Sequence, residues 1–192
     1  MEWSILFMGP VGAGKTEAIR SLSDIDVVDT DVAATDETAF LKEKTTVSMD
    51  VGVLNLGDGD KLRLYGAPGQ GRFDFMWEIL VEHAKGLVIM LNHANPDPLK
   101  DMAFYVGRLK EMLAGRSLPV VVGVTHSDER PDRSIYMYAE YINNNPVTFA
   151  TGKVPVFRVD ARQRHDASAL MAALAAMLEM NERLASVPHV AA

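Results

Sequence analysis

The sequence predicts a three-layer α/β fold whose sheet has six mostly parallel strands, five parallel and one antiparallel at the edge. Three observations predict it. Apolar runs of strand length alternate with stretches of helical periodicity along the whole chain. Two of those runs, Gly86–Leu91 (GLVIML) and Pro119–Val124 (PVVVGV), are continuous, as in strands buried on both faces of a parallel sheet. One pair of strands alternates instead and is joined by Gly57-Asp58-Gly59-Asp60, a strong hairpin signal.

In chain order, Ser4–Met8 reads as a buried strand and Lys15–Leu22 as the first helix. Ser23–Thr45 is the exception. It is rich in acids (Asp24, Asp26, Asp29, Asp31, Asp36, Glu37) and poor in core residues, and so long a loop is more often functional than idle. From Thr46 to Val53, Val47, Met49, Val51 and Val53 alternate with Thr46, Ser48, Asp50 and Gly52, which gives the hairpin a wetter face. Lys61–Tyr65 is its return strand. In the helix Arg72–His83, Phe73, Met76, Trp77 and Leu80 share the face expected to pack on the sheet, leaving Phe75 and Ile79 as candidates for exposure. Helices at Leu99–Leu113 and Ser134–Asn143 follow, then a strand at Val154–Val159. The last helix, Ser168–Leu184, carries Leu170, Leu174, Met177 and Leu178 on one side, with Ser168 as its expected cap. One domain over residues 1–184 and a flexible tail over 185–192 are expected.

Composition narrows the class. With 192 residues, 48% hydrophobic and 23% charged, the chain reads as a globular domain with a sizeable core. A net charge of −7 argues against a general nucleic-acid or membrane-surface binder. The absence of cysteine excludes disulfides, thiolate metal sites, prenylation and palmitoylation, and Met1-Glu2-Trp3 offers no myristoylation signal. No apolar run reaches membrane-spanning length and no signal peptide is visible. The expectation is a cytoplasmic protein with no direct membrane anchor and no nucleic-acid partner.

Between the first strand and the first helix stands Gly9-Pro10-Val11-Gly12-Ala13-Gly14-Lys15-Thr16, a complete G-x-x-x-x-G-K-[ST] phosphate-binding loop. Its residue types follow from its task. Glycines let successive backbone N–H groups turn inward around a polyphosphate. The helix beginning near Lys15 adds unpaired N–H groups and its positive dipole end. Lys15 supplies a point charge for the outer phosphates, and the Thr16 hydroxyl a ligand to Mg²⁺. A chance match is expected in about 0.004 of sequences of this composition, so a glycine-rich turn that binds nothing is the weaker alternative.

Three later stretches narrow the nucleotide and the reaction. In Tyr65-Gly66-Ala67-Pro68-Gly69-Gln70, Gly69 can offer its N–H to a γ-phosphate and Gln70 can orient a water for in-line attack; the plainer reading is a Pro-Gly turn. In Val124-Thr125-His126-Ser127-Asp128, the Asp128 carboxylate can accept from the N1–H and exocyclic amine of guanine, a donor pair that adenine lacks; the plainer reading is a helix cap. In Val159-Asp160-Ala161-Arg162, the Ala161 N–H can donate to the guanine O6; the plainer reading is an ordinary strand–helix loop. All three stretches stand at C-terminal strand ends, where open α/β sheets place their ligands.

On these residues the chain resembles the Ras-like small GTPases, most closely the bacterial branch typified by the MglA polarity GTPase and related proteins encoded beside roadblock-domain proteins. The resemblance covers about residues 3–184, and its strongest matches are GPVGAGKT, TTVSMDVG, LYGAPGQGRFDFMW and GVTHSD. It implies a P-loop small GTPase fold that binds GTP and GDP with Mg²⁺. By that resemblance Gly9, Val11, Gly12, Ala13, Gly14, Lys15 and Thr16 hold the phosphates, with Lys15 on β- and γ-oxygens, and Glu17 is a further nucleotide-binding position. Thr16 and Thr46 serve the metal, with Thr45 as the alternative to Thr46. Gly69 and Gln70 form the second switch, Thr125, His126 and Asp128 the base-reading segment, and Ala161 the last base contact. The implied partner is a roadblock-type regulator or another effector at the switch regions.

Four departures stand out. Gly66 occupies the place of an aspartate near Mg²⁺, as in the MglA-like branch, and leaves the metal one outer carboxylate short. His126 replaces a lysine whose stem packs along the base, and Thr125 replaces an asparagine. Thr45 stands where the branch carries an arginine, so Arg72 is the nearest candidate for a built-in arginine finger, with a structural role as its alternative. The expected function is a guanine-nucleotide switch with slow GTP hydrolysis. A nucleotide-dependent scaffold that hydrolyses negligibly comes second. A small-molecule kinase comes last, because Ser23–Thr45 lacks the arginines of a mobile lid.

Overall fold

Alternation of side chains along the strands divides the interior into two cores, one on each face of a single sheet. The computed structural model describes residues 2–29, 49–69, 74–113, 115–145 and 153–185. Its strands are β1 Glu2–Met8, β2 Val28–Asp29, β3 Asp50–Gly57, β4 Asp60–Gly66, β5 Gly86–Asn92, β6 Val120–Thr125 and β7 Val156–Arg158. The helices among the described residues are α1 Lys15–Leu22, α2 Asp74–His83, α3 Pro98–Leu113, α4 Tyr136–Asn144 and α5 Arg164–Ala185.

The sheet order is β2-β3-β4-β1-β5-β6-β7. β4, β1, β5, β6 and β7 run parallel, and β3 is antiparallel to β4. All six expected strands are present. A further two-residue strand, β2, pairs antiparallel on the outer side of β3, so the antiparallel strand is next to the edge rather than at it. In β1, Leu6 and Met8 face the core under α2, α3 and α4, while Trp3, Ile5 and Phe7 face the core under α1 and α5. β5 divides likewise, with Leu87, Ile89 and Leu91 on one side and Val88 and Met90 on the other. The result is the three-layer arrangement expected from the apolar runs.

The hairpin departs from its sequence reading. Gly52 and Leu54 are buried, whereas Val51 and Val53 are half-buried. The face that looks wetter in sequence therefore packs on α1. The reason is Gly52: a Cβ there would stand 2.9 Å from Ile19 Cγ2 and 3.0 Å from Ser23 Oγ, so the missing side chain admits the helix. The Ser23 hydroxyl in turn accepts from the Val53 N–H at 3.1 Å. At the turn, Asp58 and Gly59 both have positive φ (51° and 84°), as a type I′ turn requires. A register shift at Leu56, between the Asn55–Lys61 and Gly57–Asp60 pairs, makes a bulge beside it.

The last helix also departs from its expected start. α5 begins at Arg164, a full turn before Ser168, so Ser168 is inside the helix and does not cap it. Its Leu170, Leu174, Met177 and Leu178 are buried as expected. α5 runs through Ala185; the rest of the expected tail, 186–192, lies outside the described residues. On α2, Met76 and Trp77 are buried, Leu80 packs on the core and Ile79 is half-buried. Phe73 and the Phe75 side chain lie outside the described residues.

A buried imidazole ties the site end of the sheet to α4. His93, just past β5, has no exposed surface. Its Nε2 is 3.0 Å from the Arg133 carbonyl and must donate; its Nδ1, 2.8 Å from the Tyr138 hydroxyl, therefore accepts. Arg133 Nη1 returns hydrogen bonds to the His93 and Asn95 carbonyls, each at 2.9 Å. Burial pushes the Tyr138 hydroxyl up to about 12. Tyr138→Phe leaves Nδ1 with no donor in the interior, and urea unfolding should show a loss of about 1–3 kcal/mol; an unchanged midpoint would deny the bond any structural role.

Candidate functional site

The loop after β1 lies so close to β5 that one position tolerates no side chain. A Cβ on Gly9 would stand 2.1 Å from the Met90 carbonyl oxygen. Gly9 and Gly14 have φ of 146° and 83°, and Gly14 leads directly into α1. Ala13 N donates to the Pro10 carbonyl at 3.2 Å, closing the turn, and Val11 is exposed at its tip. Lys15 is 9% exposed, and its Nζ folds back to donate to the Gly9 and Pro10 carbonyls at 2.7 and 2.8 Å. Burial pushes the Lys15 ammonium down to about 8, with the Asp50 charge pulling the other way.

Asp50 is a site residue that the sequence reading assigned only to a strand face. The Thr16 hydroxyl donates to Asp50 Oδ2 at 2.6 Å. Asp50 opens β3 and pairs across the ladder with Gly66, the last residue of β4. A Cβ at Gly66 would stand 3.0 Å from Asp50 Oδ2 and 3.0 Å from Ile19 Cδ1. A carboxylate from the neighbouring strand thus stands over the space the glycine leaves. A hard divalent cation with bound phosphates needs only one or two protein oxygens of this kind. The Asp50 carboxylate and the Thr16 hydroxyl fit such an ion. Among the described residues, no cluster of three or more acidic or histidine side chains could hold a metal without phosphates.

The two stretches expected from sequence to read a base meet at a cavity of about 740 Å³ lined by Gly14, Thr125, His126, Asp128 and Ala161, with Glu17 on its α1 side. Thr125 is buried, and its hydroxyl lies 3.2 Å from the Ala13 carbonyl and 3.1 Å from the Leu91 carbonyl. That single proton is committed to carbonyls, so the oxygen accepts from His126 Nδ1 at 2.9 Å. His126 has a φ of 54°, a left-handed backbone uncommon outside glycine. At the far side Arg162 pairs with Asp160 through two bonds, Nε–Oδ1 at 2.9 Å and Nη2–Oδ2 at 2.8 Å. The Arg162 hydrogen bonds hold the Asp160 carboxyl down at about 2.

Gly69 lies on the other side of the loop. A Cβ there would meet Val11 N at 2.7 Å and Lys15 Nζ at 2.9 Å, so its backbone rests on the loop tip. Trp77 Nε1 donates to the Pro68 carbonyl at 3.0 Å and fixes the approach. Thr45, Thr46, Gln70 and Arg72 lie outside the described residues.

Sheet order, helix layers and loop position define a class: this is the three-layer α/β fold of the P-loop small GTPases. The chain is similar to the intraflagellar transport protein 22 homologs of Rattus norvegicus and Mus musculus, 28% identical to each over 101 residues, which is 53% of this chain and 52% of each relative. It thus spans about half the length of the curated relatives it matches. No family model matches it. Among the described residues, no helix is long and apolar enough to cross a membrane.

The Asp50–Gly66 contact makes a direct prediction. Gly66→Asp places a second carboxylate against the first, and crowding with like charge should destabilise the fold by about 1–3 kcal/mol. Adding Asp50→Gly should recover most of that loss. Thermal unfolding of the three variants checks this; equal stability of the single and double variants would mean the two positions do not share one space.

Proposed function

We propose that this chain is a guanine-nucleotide-binding molecular switch that slowly hydrolyses GTP to GDP and phosphate with Mg²⁺. The observation that carries the reading is that Asp128 and Ala161 line one cavity with Gly14 and Glu17, the residues that flank Lys15 and Thr16 at the start of α1. The loop amides around Gly12–Gly14, the α1 N-terminus and the Lys15 ammonium bind the phosphates. Asp128 accepts from the guanine N1–H and amine, and Ala161, with its small side chain, lets its own N–H approach O6. His126 covers the base where a lysine stem would otherwise lie.

Thr16, Asp50 and Thr46 hold Mg²⁺, which when bound neutralises charge on the β- and γ-oxygens. Gln70 orients the attacking water, and Gly69 N–H faces the γ-phosphate. Arg72 is the candidate arginine finger. With no further arginine assigned, turnover is slow until a partner contributes. The nucleotide-sensitive segments around Thr46 and Gly69-Gln70 are read by an effector or regulator protein. The sequence resemblance favours the MglA-like branch and a roadblock-type partner, and the reading places the protein in the cytoplasm without a direct membrane anchor.

Calorimetric titration with GTP, GDP and ATP, followed by phosphate release, tests the reading. GTP and GDP should bind and ATP should not, and Asp128→Asn should weaken GTP by about one to two orders of magnitude. Equal affinity of the unaltered chain for ATP and GTP would remove the guanine assignment. Binding with no phosphate release would leave a scaffold in place of a GTPase.

Lys15 adds a pH signature. Free, it loses its proton at about 8; phosphates favour the ammonium. GTP binding at pH 8 should therefore take up roughly half a proton, and affinity should fall as pH rises beyond that. Without nucleotide the sign reverses: the unfolded lysine keeps the ordinary value of 10.5, so stability rises between about 8 and 10.5 and is lost again as pH falls through 8. Titrations in two buffers of different ionisation enthalpy measure the uptake; no buffer dependence would contradict a buried, phosphate-facing Lys15.

A further inference from the structure

We infer that Glu17 reads the ribose of the bound nucleotide and makes the site selective for ribonucleotides. The inference rests on the nucleotide reading of the same cavity and adds a determinant to it. Gly14 and Asp128 both line the cavity, one from the phosphate loop and one from the base-reading segment. A nucleotide oriented by those two ends must lay its sugar between them, because the sugar is the covalent link between phosphates and base. Glu17 lines that cavity from α1, one residue beyond Thr16.

The chemistry suits a vicinal diol. A carboxylate accepts hydrogen bonds and donates none, and the two ribose hydroxyls are adjacent donors. Dinucleotide-binding folds use an acid on the ribose in the same way, at a different place in the chain. Glu17 Oε2 accepts from Arg20 at 2.8 Å, which restrains the carboxylate, and among the described residues no donor binds Oε1. A bare carboxylate near phosphates would repel them, but here two cations offset it. Arg20 is one. Arg162 is the other: its guanidinium is held above its ordinary value first by the bond to Asp160, and also by the charges of Asp128 and Glu17. The same charge explains why an acid is tolerated one residue beyond the phosphate-binding lysine and threonine.

Glu17 is half-exposed on the first turn of α1, so substituting it leaves the fold's interior untouched. The test is a cycle of protein and ligand changes. GTP, 2′-deoxy-GTP and 3′-deoxy-GTP are titrated calorimetrically into the full chain and into Glu17→Ala and Glu17→Gln. The unaltered chain should bind at least one deoxy-nucleotide about tenfold more weakly than GTP. In Glu17→Ala that ratio should fall to within about twofold of one, and Glu17→Gln, which keeps one acceptor oxygen, should lie between. The ratio compares ligands on the same protein, so a general loss of affinity or stability in a variant does not mimic the effect. An equal ratio in the unaltered chain and Glu17→Ala would overturn the inference, as would equal affinities for all three nucleotides. In either case GTP binding itself would stand; absence of GTP binding to the unaltered chain would remove both readings.

Discussion

Lys15 is a cation in a place with almost no water, and the first loop is arranged around that problem. Its ammonium needs oxygen partners on every side. Two come from the loop it belongs to, through the Gly9 and Pro10 carbonyls at 2.7 and 2.8 Å. Those carbonyls are available because Gly9 lets the chain turn against the Met90 carbonyl, where any side chain would collide. The close approach then fixes where α1 begins, and α1 sets the faces of Thr16, Glu17 and Ile19. Burial of the charge is costly, and the cost is offset most fully by an anionic ligand.

The end of β6 is fastened to the loop after β1 by few but buried contacts. The Thr125 hydroxyl bridges from the end of β6 to the Ala13 carbonyl in the loop, across β5. His126 is oriented by the same hydroxyl. A second set of ties runs along the other side. Arg164, at the start of α5, bonds Asp24 at 2.6 Å, and Asp24 accepts the Asn55 N–H at 2.7 Å. The segment from Asp160 to Arg164 is therefore coupled to the end of α1 and to the hairpin.

Much of this is legible in the sequence because the physical signal is local. Continuous apolar runs such as Gly86–Leu91 announce a doubly covered strand, and G-x-x-x-x-G-K-T announces its own loop geometry. What is not legible depends on register. The bulge at Leu56 shifts β3 against β4 by one residue, and only that shift brings Asp50 opposite Gly66. The polarity of the hairpin faces misleads for a related reason. Gly52 looks like an exposed position, yet it is bare because Ile19 and Ser23 occupy the space above it. Ser168 has the chemistry of a cap, but the helix is already extended by Arg164–Ala167, whose pattern is too polar to announce itself. The cavity-lining position of Glu17 depends on the turn of α1 and on strands far along the chain, which no local pattern contains.

With the acid on β3 rather than β4, the carboxylate and the Ala67-Pro68-Gly69 turn belong to different strands. Gly66 is held in the ladder between Phe7 and Asp50, and the turn leaves the sheet directly beyond it. Asp50 reaches Thr16 across the bare backbone of Gly66. On the nucleotide reading proposed above, retention of a cation and the response to a terminal phosphate would then fall to separate segments of the chain.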